Sequence, residues 1–580
     1  MSKKQIYLLI LETSGNQSYI FSTNKLRDVV GASELIYRVG TDFVERAVKE
    51  VTGRPFRKDD ILKELPVEKE GSPDIEVVIA TSGKAVLLVR DSDDHDLKRR
   101  FIEAWSRIAV SEAPGVDALA VFSGIPLDLS LPLYDGGEKN ESEGSLLNVF
   151  RDAHVRFSIA KTRRAAPQSR FQRLPPVASC RYSGYPAEEM FSEGGDPVPL
   201  SLLSLAKIEA GRSDEFKRRM ESIYPPGKNG IVAQGLNDDM LEECRWLAVV
   251  HADGNGLGQI FTNFHEHVDT VKNKIADGRS YIDYYRMFSA ELDRICEGAF
   301  REAADATVFK ERAKIPLVPV VVGGDDLTVI LDGTRALSFT KRFLESFRRR
   351  TGESEVVSEI CEAAGHASRR LGICAGICVA KGHFPFSESY RLAEELLKSA
   401  KQVKHAVGPE GTAIDFHILY DSVVTSLREI REKLRIRRPA DPEGDVILTA
   451  KPFVVAGEGA SFKEKYSFWE GLHDWMTFRG AAKAIEASDS DGKKLFPSSQ
   501  AHSVRDFLFA EETVTQEAEW GHMLSSYGEF ASAWRSATGG SALYKKLVDN
   551  SDENKERRFA ATPFLDALEA VEFLEGGEDA

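Results

Sequence analysis

Cysteine is scarce in this chain, with six in 580 residues. None falls in a C-x-x-C pair, so no disulfide framework is written into the sequence and a reduced, intracellular setting is expected. Long apolar runs are also missing. No stretch reaches about 18 apolar residues without a charge, and the run from Gln5 to Leu11 is too short for a signal core or a membrane helix. Net positive charge is the third absence: 76 Lys and Arg face 91 Asp and Glu, a formal charge of −15. That excludes a general nucleic-acid coat protein but leaves room for a local basic groove. What the chain does have is 42% hydrophobic residues, enough to exclude wholesale disorder. At about 150 residues per domain, roughly three or four domains are expected. The expectation is a cytoplasmic, multidomain protein with no membrane partner.

The segment 1–150 reads as strand (Ile6 to Leu11), helix (Thr23 to Lys49), hairpin (Ile75 to Ala80 and Ala85 to Val89), helix (Asp96 to Val110) and strand (Asp117 to Phe122). This β-α-β-β-α-β order predicts a ferredoxin-like layer of helices on an antiparallel sheet. A polar loop, Gly136 to Ser145, leads into 151–245. That segment opens with a basic run, Arg151, Arg156, Lys161, Arg163, Arg164, Arg170 and Arg173, and continues as helical material. At Trp246 the same order starts again: a strand to His251, a long helix (Tyr281 to Ala304), two strands (Leu317 to Val322 and Leu327 to Leu331), a helix (Leu337 to Arg349), a strand (Leu371 to Ala380) and a helix (Glu388 to His405). From 419 to 580 the periodicity is helical, with Trp469, Trp475, Phe478, Phe507 and Trp520 as expected core anchors. The fold class is therefore α+β: two ferredoxin-like domains, a helical segment between them and an α-helical C-terminal domain.

One constellation carries chemistry. Asp253 ends an apolar strand and opens a turn containing Gly254, Asn255, Gly256 and Gly258. Asp325 and Asp326 follow Gly323 and Gly324 in a tight turn between two β-forming runs. Carboxylates converging from neighbouring strands repel one another unless a cation neutralises them, and hard oxygen ligands suit Mg²⁺ or Mn²⁺. Two such ions would serve nucleotidyl transfer. Gly-rich backbone near a helix start can cradle phosphates, and Lys398 and Lys401 on the last helix could reach them. A plain Gly-Asp hairpin turn explains Gly323 to Asp326 equally well when taken alone, and a solvated face explains the lysines. His265 and His267 point to different helix faces, and Cys374 and Cys378 read as core filling.

With these residues in view, the second half resembles the palm/cyclase domain of the large polymerase subunit of type III CRISPR effector complexes, a family related to GGDEF-type nucleotide cyclases. The matching pieces are Ala252 to Gly258, Gly323 to Asp326, Ala375-Gly376-Ile377 and the helix with Ala393 to Lys398. The first half is similar to that family's other palm through Gly15 to Ile20, Lys25 to Asp28 and Gly31-Ala32-Ser33. The resemblance implies that the second palm makes cyclic oligoadenylates from ATP with two divalent metal ions held by Asp253, Asp325 and Asp326, in antiviral defence. A GTP-using cyclic dinucleotide synthase and a non-catalytic palm scaffold remain as alternatives.

The departures from that family carry expectations of their own. The first palm has Ser82-Gly83-Lys84-Ala85 where carboxylates would stand, so it is expected to hold a second nucleotide, through Gly15 and Gln17, without metal. Around Cys180 only half of a zinc motif survives, with Ser183 in place of a second cysteine, so no zinc is expected. His95-Asp96 is the nearest approach to a nuclease motif and lacks further ligands. Guide or target RNA and other effector subunits are the expected partners, contacting Arg151 to Arg173 in preference to a second basic cluster from Arg428 to Arg438.

Overall fold

The computed structural model describes residues 4–91, 96–135, 138–139, 143–193, 195–225, 244–308, 317–420, 426–437, 444–455, 462–470, 472–509, 513–549 and 557–574. His95 and Arg438, singled out above, lie outside these residues, as does part of the loop from Gly136 to Ser145.

The first palm is a four-stranded antiparallel sheet of Gln5–Ser14, Ile75–Thr81, Lys84–Asp91 and Asp117–Phe122. In space the order is second, third, first, fourth. The strands form because runs such as Leu8 to Leu11 and Val86 to Val89 are apolar on both faces and are covered on both. The single helix expected over Thr23 to Lys49 is two, Leu26–Gly40 and Asp42–Thr52. The break lies where Gly40 packs onto the hairpin: a Cβ there would stand 2.0 Å from the Thr81 carbonyl oxygen. Thr41 then leaves helical geometry at φ −124°, ψ −87°.

The basic run begins on a helix, Leu146–Arg163, whose buried Leu146, Val149, Ala153 and Phe157 cover the first palm's sheet. The helix crosses the expected boundary at residue 150, so its basic residues belong to a palm-covering element and not to a linker. Beyond it, a hairpin of Glu189–Glu193 and Asp196–Leu200 precedes the helices Leu202–Arg212 and Asp214–Ile223. The inter-palm segment is thus helical with a small β element. The short turn Cys180 to Ser183 packs under it; Cys180 is buried with Val198, Leu200 and Ile208.

The second palm repeats the first. Trp246–Gly254, Leu317–Gly323, Asp326–Asp332 and Ile373–Lys381 again stand in the order second, third, first, fourth. Two strands extend the sheet: Ala413–Ile418, parallel to its neighbour, and Phe453–Val454 from the C-terminal region. The helices Gly278–Ala303, Gly333–Glu353 and Phe386–Ala400 follow the sequence pattern, while Glu355–Ala363 is an additional one. The last expected helix stops at Ala400, and Val403–Ala406 is a separate turn.

The C-terminal domain is built on the helices Trp475–Glu486, Ser498–Leu508, Thr513–Ser526, Gly528–Thr538 and Phe564–Leu574. It also carries a four-stranded sheet, in the order Arg435–Ile436, Asp445–Ile447, Arg557–Ala561, Lys545–Asp549. Trp469, Trp475, Phe478 and Trp520 are buried as the pattern implies. Phe507 is only half-buried; Leu508 next to it takes the core position, joined by Phe530, Trp534 and Phe564. Among the described residues no helix is long and apolar enough to cross a membrane.

The two palms are tied by charge. Glu76 of the first is buried and accepts from Arg279 at 2.8 Å and from Arg286, both on the long helix of the second. Burial alone would raise the Glu76 carboxyl, but the two guanidinium groups overcome it and hold the group below the usual range.

Candidate active site

Pairing register brings the acids together. Ala252 stands opposite Leu327, and Gly323 opposite Asp326, so Asp253 at the end of its strand faces Asp326 at the start of the hairpin's second strand. Asp325 occupies the hairpin tip and leans over the neighbouring turn: a Cβ on Gly254 would stand 2.8 Å from Asp325 Oδ2. Glycine at 254 is therefore demanded by the acid's position. Among the described residues, the basic side chain set against the cluster is Lys401, whose Nζ bonds the Asp253 carboxylate and the Gly254 carbonyl oxygen, the latter at 3.2 Å.

The electrostatics follow from that crowding. Burial first, then the Asp253 charge and hydrogen bond and the Asp326 charge, push the Asp325 carboxyl far above the usual carboxylate range. Desolvation in the cleft, followed by the Asp253 charge, raises Asp326 to about 7, with Lys401 opposing. Asp326 Oδ1 is buried and makes no hydrogen bond; His251 Nδ1 lies 3.5 Å from it. Burial lowers the His251 pKa, so its ring is neutral at pH 7 and bridges Thr328 Oγ1 (3.1 Å) and the Tyr390 hydroxyl (3.3 Å). Three acids with one lysine leave an excess of negative charge and an orphaned oxygen, a donor set that fits a hard divalent cation. Among the described residues no three His, Cys, Asp or Glu side chains form a ready-made cage. An ion here would be completed by substrate oxygens, which is how Mg²⁺ is ordinarily held.

The acids open onto a cleft of about 630 Å³ between the palms. The second palm contributes Gly323, Gly324, Asp325, Asp326, Asp293 and Tyr390; the first contributes Gly15, Asn16, Gln17, Phe21, Ser82 and Lys84. Phe21 stacks on Tyr390 at 4.3 Å between ring centres, joining the two walls. A larger hollow of about 940 Å³ lies at the outer edge of the first palm. Its Lys4, Arg54 and Arg90 are paired with Asp74 and Glu64, and it contains none of the clustered acids.

The shared register aligns the palms residue by residue. In the first, Lys84 pairs with both Glu12 and Thr81, and Ala85 with Leu11. Lys84 therefore occupies the place of Asp326, Glu12 that of Asp253, and Gly83 that of Asp325. No carboxylate could stand at 83, since a Cβ there would meet Thr13 Oγ1 at 2.2 Å. The first palm has a lysine where the second has an acid.

Of the residues singled out from sequence, Gly15, Gln17, Gly323, Gly324, Asp325 and Asp326 line one cavity, and Asp253 joins them through Asp325. Gly256, at φ +78°, caps the helix Leu257–Thr262, while Gly258 faces open space. Asn255 does not reach the cleft. It is buried, and its amide donates to the Gly411 carbonyl oxygen (2.7 Å) and to Cys374 Sγ (3.3 Å), so it anchors the turn. Lys398 is exposed and paired with Glu394 at 2.8 Å, whereas Lys401 holds an acid in place of a phosphate. Sequence reasoning missed Asp293 and Tyr390, and named Lys84 only as part of a hairpin without carboxylates. Asp293 had a signal: it is an acid within the buried stripe of Leu292, Ile295 and Cys296.

Two palms facing each other across one cleft, only one of them bearing the carboxylate hairpin, define a tandem-palm protein. Residues 246–407 match the family described as Cas10/Cmr2, second palm domain. Csm1 of T. onnurineus is a similar solved structure, 15% identical, with 91% of this chain and 64% of that chain covered at a TM-score of 0.46. The Csm1–Csm4 cassette in complex with cA3 is 13% identical, covers 99% and 70%, and has a TM-score of 0.48. The apo cassette gives 14%, 98%, 70% and 0.47. The chain thus spans only 64% of the length of the T. onnurineus protein. No curated protein matches it.

Proposed function

We propose that this chain is a metal-dependent nucleotidyltransferase that converts ATP into cyclic oligoadenylate-type second messengers, as part of type III CRISPR-like antiviral defence. The observation that carries the reading is the convergence of Asp253, Asp325 and Asp326 on a cleft shared by both palms, with too little positive charge to neutralise them. The Cas10/Cmr2 match over the same residues supports it. AMPPNP, cA4 and cA3 are ligands named for the Csm1–Csm4 cassette, and the same ligand class is proposed here.

The three aspartates would hold Mg²⁺ or Mn²⁺, and the ions would activate a ribose hydroxyl and stabilise the leaving pyrophosphate. The protein's own residues divide the remaining work. Lys401 pairs with the Asp253 carboxylate and holds it in place. His251 and Tyr390 buttress the hairpin from below. In the first palm, Gln17 and the backbone at Gly15 would contact a second nucleotide, and Lys84 would supply the charge for its phosphates where no metal can be held.

The basic helix is proposed as a contact for guide or target RNA in an effector complex. Arg151, Lys161 and Arg163 are exposed and, among the described residues, have no acidic partner. Arg164 is different: it pairs with Asp117 at 2.9 Å and donates to the Ala118 carbonyl oxygen, so it is a structural residue. Arg156 is paired with Asp152.

Incubation of the purified protein with each nucleoside triphosphate and Mn²⁺, with products identified by mass, tests the activity. Cyclic adenylate products from ATP alone are expected; cyclic products only from GTP would overturn the substrate assignment, and none from any triphosphate, with target RNA present, the catalytic one.

A further inference from the structure

The carboxylate hairpin is held from outside its own sheet. Gly324 turns the chain at φ +61°, and its N–H donates to Asp293 Oδ1 at 2.6 Å. One helical turn further along the same helix, Cys296 Sγ lies 3.6 Å from the Asp326 carbonyl oxygen. The second oxygen of Asp293 is taken by Lys58 Nζ at 3.0 Å, and Lys58 belongs to the other palm, on the short 3-10 turn Lys58–Lys63. The lysine is itself fixed at both ends: its backbone N–H donates to Glu45 Oε1 at 2.7 Å, and its ammonium lies 5.1 Å from the centre of the Tyr37 ring.

We infer that Lys58 is a positioning residue for the carboxylate hairpin, acting through Asp293, so that the first palm sets the geometry of the second palm's acids. Asp293 is nearly buried, with 10% of its side chain exposed, and lines the same cleft as Asp325 and Asp326. A fourth acid beside three others is costly unless it is compensated. Lys58 is the compensation, and it also locks the carboxylate so that its other oxygen points at the Gly324 amide. Glu297, one turn beyond Asp293 and within the lysine's field, adds to the negative charge that only a cation can balance. Charge-assisted bonds of this kind are directional, so losing the lysine frees the hairpin tip even if the helix stays in place. The consequence for metal binding rests on the proposed function; the mechanical link does not.

Hydrogen exchange at the hairpin, measured on the metal-free full-length protein, tests the link directly. In K58M the amides from Gly323 to Asp326 should exchange about tenfold faster, as expected for one charge-assisted hydrogen bond removed. K58R should restore most of the protection. D293A should match K58M, and K58Q, which removes the charge but keeps a polar side chain, replaces K58M if that variant does not fold. Unchanged exchange in K58M, or loosening in D293A without loosening in K58M, overturns the role of Lys58. Mn²⁺ binding followed by electron paramagnetic resonance separates the two readings. If wild type binds the ion, K58M should weaken binding several-fold while D325N/D326N abolishes it. If wild type binds none, the metal reading fails while the exchange result still decides the link.

Discussion

The two palms share an element order, a sheet order and a hairpin register, yet differ at the three positions that decide chemistry. Asp253, Asp325 and Asp326 in the second stand where Glu12, Gly83 and Lys84 stand in the first. The difference is steric as well as electrostatic. Gly254 leaves room for Asp325, while Thr13 closes the space beside Gly83. A palm fold therefore does not bring the carboxylates together by itself; the proposed metal site needs both the acids and the gap they lean into. The first palm keeps the frame, places a lysine at the cleft, and is tied to its twin through Glu76.

The sharpest way to break the comparison is to strip the second palm of its distinguishing charge. D325N/D326N should lower cyclase turnover more than a hundredfold, since about 3 kcal/mol of transition-state stabilisation already corresponds to that factor. Its melting temperature without metal should hold or rise, because carboxylate repulsion is relieved. Next is the join between the palms. Arg286→Met leaves Glu76 buried with Arg279 as its one guanidinium partner beside the Val67 amide, and should cost about 1.5–3 kcal/mol of unfolding free energy, measured by urea titration. Because the folded-state pKa of Glu76 is depressed, that contribution is present above the ordinary glutamate pKa and is lost as the pH falls through the folded value.

A pH series sharpens the contrast further. Asp326 is raised to about 7, so the metal-free fold gains from its proton below the ordinary aspartate pKa and loses that gain as the pH rises towards 7. Stability without metal should fall over that window, Mn²⁺ affinity should rise through it, and D326N should flatten both. A smaller effect belongs to the first palm: Gln17→Ala and Lys84→Met should each raise the ATP requirement about tenfold or less while leaving Mn²⁺ affinity unchanged, as for the removal of one polar interaction. Weakened Mn²⁺ binding in either variant would show that the palms do not divide the work. The smallest change is expected from K161E/R163E, which should weaken RNA binding and reduce its salt slope by about one unit for each phosphate left unneutralised, with basal turnover unaffected.

How much of the molecule was legible in the sequence depended on the range of each interaction. Both β-α-β-β-α-β orders could be read because runs such as Leu8 to Leu11 and Val318 to Val322 are apolar and bounded by turns. The acids of the second palm stood out because aspartates at strand ends, next to glycines, are a local pattern. Gly40 gave no such warning, since the Thr81 carbonyl that breaks its helix comes from a hairpin far along the chain. Lys401 and Lys398 looked alike at their spacing; only the fold turns one onto Asp253 and the other towards solvent. Asn255 read as a nucleotide contact because the turn is Gly-rich, but its amide is needed to tie that turn to Gly411. The C-terminal sheet escaped notice because Arg435–Ile436 and Asp445–Ile447 are too short to show a period, and the strand that pairs with the second of them, Arg557–Ala561, lies far away in sequence.

The strand Phe453–Val454 bears on how the protein can be taken apart. It borders Ala413–Ile418, and Phe453 stacks against Phe478 at 4.1 Å between ring centres, with Phe416 alongside. A fragment ending at residue 418 would present a bare parallel edge and an uncovered phenylalanine, the kind of surface that recruits other chains. The excisable second-palm unit is therefore longer than the palm itself: it must run at least through the helix Trp475–Glu486, and a shorter fragment should be recovered as aggregate.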